Sequence, residues 1–129
     1  MAELIARLGV GDLERELKFY TGIGFEIDER SEGEALVRFE DVSLALRQYD
    51  AWRVTDRPIL DWDKSPKQFG TGVQLYMVVR DVDALAATVP VGVPRPWPVQ
   101  DKPWGYRELT LRTPSGYLLT FAQPAGRGR

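Results

Sequence analysis

A strand-to-helix junction occurs twice in this chain, as Val10-Gly11-Asp12 and as Val79-Arg80-Asp81, with the two aspartates 69 residues apart. Each copy opens the same succession of elements. In the first, Leu4, Ala6, Leu8 and Val10 alternate with Glu3, Ile5, Arg7 and Gly9, the period of a strand with one face toward a core. Asp12 is a good helix N-cap, Glu14 and Glu16 suit the positive end of a helix dipole, and Leu13, Leu17 and Tyr20 recur at helical spacing. Gly22 and Gly24 are placed to end that helix. Phe25 to Arg30, Ala35 to Glu40 and Ser43 to Tyr49 read as three strands, with turns at Ser31-Glu32-Gly33 and Glu40-Asp41.

The second copy starts with Val73, Leu75, Met77 and Val79 alternating with Gln74, Tyr76, Val78 and Arg80. Asp81 then caps a helix carrying Val82, Leu85 and Val89. Pro90 to Pro98 has room only for a short or edge strand, because a proline brings no N–H to a ladder. Tyr106 to Arg112 and Tyr117 to Gln123 form a pair of strands around the turn Thr113-Pro114-Ser115-Gly116. The order β-α-β-β-β therefore repeats, which predicts an α+β chain of two βαβββ modules around one core. The modules are expected over 1–50 and 71–124, joined by a linker loop at 51–70 where periodicity is lost, with a disordered tail at 125–129.

Composition narrows the chemistry. There is no histidine among the 129 residues, which removes the usual general base near neutral pH and the commonest metal ligand. There is no cysteine, so neither a disulfide framework nor a thiolate nucleophile is available. A net charge of −2 without a basic cluster, except at the tail Arg127-Gly128-Arg129, argues against a nucleic-acid partner. No apolar run approaches a membrane span, and Glu3 and Arg7 interrupt the first ten residues, unlike a signal peptide. The expectation is a cytoplasmic protein without a membrane partner.

The chain resembles the vicinal-oxygen-chelate superfamily, the group of glyoxalases, bleomycin-resistance proteins and extradiol dioxygenases. In the first half the resemblance is carried by Val10-Gly11-Asp12-Leu13-Glu14-Arg15, Phe19-Tyr20 and Gly24-Phe25-Glu26. In the second it is carried by Val79 to Leu85, Pro103-Trp104-Gly105-Tyr106-Arg107-Glu108-Leu109 and Pro114 to Phe121, and this last region looks most like the bleomycin-resistance branch. The resemblance implies two βαβββ modules that form a curved mixed sheet around an open cleft, and a homodimer with clefts between subunits. It also implies, for the enzymes of the group, a divalent metal held by the first and last strands of each module.

In this chain the positions that match those metal ligands are Ile5 and Gln74 on the first strands, and Ala45 and Thr120 on the last. Ile and Ala have no lone pair, and Gln with Thr supplies at most two weak neutral oxygens where three or more His or carboxylate ligands are normal. No metal and no cofactor is expected. The resemblance then implies a binding protein for a small organic ligand, such as an antibiotic or a planar metabolite.

Strand alternation sorts residues to faces. If Leu4, Ala6, Leu8, Val73, Leu75, Met77, Leu109, Leu111, Leu119 and Phe121 face the helices, then Ile5, Arg7, Gln74, Tyr76, Glu108, Thr110, Leu118 and Thr120 line the cleft. Trp97 and Trp104 on loops, Trp52 and Trp62 on the linker, and Phe39 and Tyr49 on strands or their ends are the flat side chains suited to stacking on a ligand ring, or else to ordinary packing. Glu108 reads either as an acceptor for a ligand amine or as the cross-strand ion partner of an arginine such as Arg47. The expected ligand-binding set is Ile5, Phe39, Arg47, Gln74, Tyr76, Trp97, Trp104, Glu108 and Thr120. Catalytic residues are expected to be absent; the alternative is an enzyme of the same fold using Glu108 or Tyr76 as acid or base without the usual metal, and a third reading is an interaction module.

Overall fold

The duplicated pattern folds twice onto one plan. The computed structural model describes residues 2–48, 70 and 72–125. The first half forms β1 (Ala6–Val10), α1 (Leu13–Gly22), β2 (Glu26–Ser31), β3 (Glu34–Phe39) and β4 (Val42–Gln48). The second forms β5 (Gln74–Val78), α2 (Val82–Thr88), β6 (Trp97–Asp101), β7 (Tyr106–Arg112) and β8 (Leu118–Pro124). Each half builds a four-stranded mixed sheet, in the orders β1-β4-β3-β2 and β5-β8-β7-β6. The first and last strands of each run parallel, a pairing that requires a crossover, and α1 and α2 provide it. Arg7 stands opposite Ala45 in one sheet and Tyr76 opposite Thr120 in the other, so the repeat holds to the register. The expected linker, with Trp52 and Trp62, the strand end at Tyr49 and the tail beyond Ala125 lie outside the described residues.

Both expected caps form. Asp12 accepts from the Arg15 amide at 3.2 Å and Asp81 from the Ala84 amide at 3.0 Å. A second device was hidden in the sequence. Gln48, at the end of β4, accepts from the Leu13 amide at 2.9 Å, and Gln123, near the end of β8, accepts from the Val82 amide. The last strand of each module thus supplies an acceptor for its own helix's first turn, where four amides have no partner within the helix. Asp81→Ala is expected to lower the unfolding free energy by about 1 kcal/mol, read as a lower urea midpoint with an unchanged slope.

Two expectations at strand starts are corrected. Leu4 and Val73 are exposed rather than in the core, because β1 and β5 begin after them and neither has a partner residue across its ladder. The strand of the proline-rich segment is at the sheet edge as expected; it begins at Trp97, inside Pro90–Pro98, and runs to Asp101, with 90–96 outside it. Pro90, Pro94 and Pro96 leave that stretch too poor in donors to enter a ladder.

One core joins the halves. Leu8, Val10, Leu17 and Tyr20 of the first pack in the same cluster as Met77, Leu109, Leu119 and Phe121 of the second. Polar contacts cross as well: Tyr117 Oη donates to the Gly9 carbonyl at 2.9 Å, and the Arg80 amide donates to the Glu40 carboxylate at 3.1 and 3.2 Å. Among the described residues no helix is long and apolar enough to cross a membrane.

Candidate functional site

The sheet faces turned away from the helices carry most of the residues singled out above. On the second sheet, β5, β7 and β8 bring Tyr76, Glu108 and Thr120 side by side, because Tyr76 is the register partner of Thr120 and Glu108 lies on the adjoining strand two residues before Thr110. Tyr76 Oη donates to Glu108 Oε2 at 2.5 Å, and Trp104 Nε1 donates to the same oxygen at 2.8 Å. Glu108 is only 6% exposed, while Tyr76 and Trp104 are 45% and 62% exposed. Two large rings are therefore pinned at the surface by a carboxylate beneath them. Burial pushes the Tyr76 phenol up to about 12, and the hydrogen bond to Glu108 adds to this. The phenol stays protonated near neutral pH, so it serves as a fixed donor and is poorly suited to act as a base.

Trp104 reaches Glu108 from the turn between β6 and β7. That turn closes through Lys102 N to Tyr106 O at 2.7 Å and Gly105 N to Lys102 O at 3.0 Å. Gly105 has φ of +91°, a left-handed conformation open to glycine and costly for other residues. Lys102 Nζ lies 5.8 Å from the Trp104 ring centre. Beside this cluster runs a second chain of hydrogen bonds. Gln74 Nε2 donates to Thr120 Oγ1 at 2.6 Å, and Thr120 Oγ1 shares a proton with Thr110 Oγ1 at 2.8 Å. Trp97, 47% exposed, stands opposite Thr110 across the edge of the sheet.

Five of the expected residues thus lie on one face in two neighbouring hydrogen-bonded groups, Tyr76 and Trp104 on Glu108 and Gln74 on Thr120, with Trp97 at the border. The other expected residues lie elsewhere. Ile5 and Arg7 line a cavity of about 530 Å³ on the first sheet, together with Glu34, Leu36 and Ala45, and no residue of the second-sheet cluster borders it. Arg7 pairs there with Glu34 at 3.5 Å. Phe39, half-buried, packs against the core instead, its ring 5.4 Å from Phe25 and 6.0 Å from Phe121, because it shares the helix-facing side of β3 with Ala35 and Val37. Arg47 sits on β4 opposite Glu34, and the donors to Glu108 are Tyr76 and Trp104 rather than this arginine. Leu36 was missed at the cavity, although its alternation with Ala35 and Val37 places it there.

The metal positions implied by the resemblance can be tested on their donors. Ile5 and Ala45 both line the first-sheet cavity and offer only hydrocarbon. Gln74 turns its amide nitrogen to Thr120, whose hydroxyl is already shared with Thr110. Among the described residues no three Asp, Glu, His or Cys side chains are grouped as a metal site requires. The residues present do not fit a divalent cation.

No protein-family model matches the chain, and no curated protein matches it. Solved structures do. A glyoxalase/bleomycin resistance protein/dioxygenase from Nocardioides is 24% identical, with a TM-score of 0.72 over 97% of this chain and 84% of that one. The bleomycin resistance determinant encoded on transposon Tn5 is 18% identical, with a TM-score of 0.72 over 96% and 98%. The bleomycin-binding protein from bleomycin-producing Streptomyces verticillus, solved with copper(II)-bleomycin, is 23% identical, with a TM-score of 0.65 over 98% of each chain. The chain has the glyoxalase/bleomycin-resistance/dioxygenase fold.

Proposed function

We propose that this chain, folded like the bleomycin-resistance proteins, is a metal-free binding protein for a small planar organic molecule, received on the second-sheet face around Glu108. The observation that carries the reading is the pair of exposed rings, Tyr76 and Trp104, hydrogen-bonded to one buried carboxylate. Large aromatic side chains are usually buried, and here their orientation is held by bonds that cost a ligand no further ordering. A flat molecule laid against them gains stacking and apolar contact, while Gln74 and Thr120 at the neighbouring positions offer polar atoms for orientation.

The bleomycin-binding neighbour supports a small-molecule role in a fold of this kind. We read the two modules, 1–50 and 71–124, as halves of one domain acting as a cytoplasmic homodimer; exposed Ile5, Val78 and Trp97 leave apolar surface for a second copy to cover. A native mass spectrum is expected to show a dimer, and a monomer at micromolar concentration would remove that part of the reading.

The test of binding is a thermal-shift screen of planar aromatic compounds. A ligand present at a hundred times its Kd is expected to stabilise the fold by about 2.7 kcal/mol, raising Tm by several degrees. Trp104→Ala is expected to remove most of that shift while leaving the unliganded Tm within about 2 °C, because the indole is mostly solvent-exposed. No shift with any compound, or an equal shift in Trp104→Ala, would count against this face.

A further inference from the structure

We infer that the ligand received on this face carries a positively charged nitrogen on its flat frame, and that Glu108 Oε1 is the atom that takes it. The inference rests on the reading of the face as a binding site and specifies the chemistry of what is bound. Both donors to Glu108 use the same oxygen, Oε2. The buried side-chain oxygens left without a partner among the described residues are Glu16 Oε2 and Tyr20 Oη; Glu108 Oε1 is not one of them, although no described residue donates to it, as fits an oxygen that keeps contact with the surface.

Among the described residues the Glu108 charge also meets no ion-pair partner. Tyr76 and Trp104 donate hydrogen bonds but bring no positive charge, and no lysine or arginine among the described residues pairs with Glu108. Arg107, its sequence neighbour, points to the opposite side and is held by Asp83 and Asp101, each at 3.0 Å. A carboxylate taken out of water is stable only when its acceptor sites are filled and its charge is met. One oxygen of this one is filled by Tyr76 and Trp104, and the other has no donor among the described residues.

The surrounding groups select the same partner. The faces of Tyr76 and Trp104 present negative π density and attract cations, and Lys102 Nζ already lies over the Trp104 ring, 5.8 Å from its centre. An anionic ligand, or one offering a carbonyl oxygen at this point, would meet a carboxylate oxygen and be repelled. An aryl amidinium or a protonated aminoquinoline-type ring satisfies both demands, with its N–H groups toward Oε1 and its plane against the indole.

The experiment is a fluorescence titration at pH 7.5 with three isosteric probes: 9-aminoacridine, which is a cation, acridine, which is neutral, and acridine-9-carboxylate, which is an anion. The wild-type protein is expected to bind the cation about tenfold tighter than acridine, the effect of one charge-assisted hydrogen bond, and the anion more weakly than either. Glu108→Gln is expected to bring cation and neutral probe within about twofold of each other without weakening acridine. Glu3→Gln, which removes an exposed carboxylate and changes the net charge by the same amount, is expected to keep the full preference.

Equal binding of cation and neutral probe by the wild type, or a preference that survives in Glu108→Gln, overturns the inference and leaves the binding face standing. Binding of none of the three overturns both. Should Glu108→Gln fail to fold, the wild-type comparison still decides: an anion bound as tightly as the cation sinks the assignment.

Discussion

Phe121→Ala is expected to destabilise the protein by about 3–5 kcal/mol, a large part of the total stability of a domain this size. Phe121 has no exposed surface, and although it belongs to β8 of the second sheet, its ring lies 6.4 Å from Phe25 and 6.0 Å from Phe39 of the first half. Phe25 continues the contact to Tyr20 at 5.0 Å, and Tyr20 to Phe19 at 5.1 Å, both edge to face. Truncation therefore removes the transfer energy of a full ring, leaves a cavity and strips two aromatic contacts from the seam between the modules. Equilibrium urea unfolding measures it, as a lower midpoint at constant slope. Because both halves share one core, tryptophan fluorescence and far-UV circular dichroism are expected to report one coincident transition. A loss under about 1 kcal/mol, well below the usual cost of such a truncation, would mean that the seam does not depend on this ring.

Glu16→Gln is expected to do the opposite at neutral pH and stabilise the protein by about 1–2 kcal/mol, or roughly 3–6 °C in Tm. Glu16 is 1% exposed on α1, where it meets the β7–β8 turn of the other module. One oxygen accepts from Ser115 Oγ at 2.8 Å, the other has no partner, and neither does the buried Tyr20 Oη one helical turn away. Burial raises the Glu16 pKa above its ordinary 4.5, opposed by hydrogen bonds from Ser115 and Thr113 and by the charge of Arg15. The Tyr20 phenol is pushed well up by its own burial and then by Glu16.

The folded chain therefore holds the Glu16 proton more tightly than the unfolded one. The resulting stability is fully present below pH 4.5 and is lost as pH rises through the elevated folded value. Above that value the fold carries a buried, half-partnered charge. Glutamine keeps the acceptor for Ser115 and removes the charge. The gain of the variant over the wild type should shrink as pH falls toward 4.5, which urea titrations at several pH values would resolve. A variant less stable than wild type at pH 7 would show that the ionised carboxylate holds the junction.

Glu16 also marks where sequence reasoning stops. Its place in the first turn of a helix was readable, and so was the favour a helix N-terminus shows to acids. Its burial was not, because the Ser115 turn that covers it lies 99 residues away. Glu108 repeats the lesson. Alternation put it on the face away from the helices, but an arginine on the other module was as reasonable a partner as Tyr76, since nothing local distinguishes an ion pair from two neutral donors. Phe39 went the other way, against the core beside Phe25 and Phe121.

The sequence by itself determined what depends on near neighbours: the period-two strands, the Asp12 and Asp81 caps, the turn at Thr113 to Gly116 and the repeated order that obliges each half to cross over in parallel. Backbone sterics, capping and the apolar period act within a few residues and leave their signature there. Tertiary structure alone decided which polar groups meet. It buried Glu16 and Glu108, chose their donors and separated Ile5 from Gln74, because those outcomes depend on how two sheets pack around one core and on the water that packing excludes.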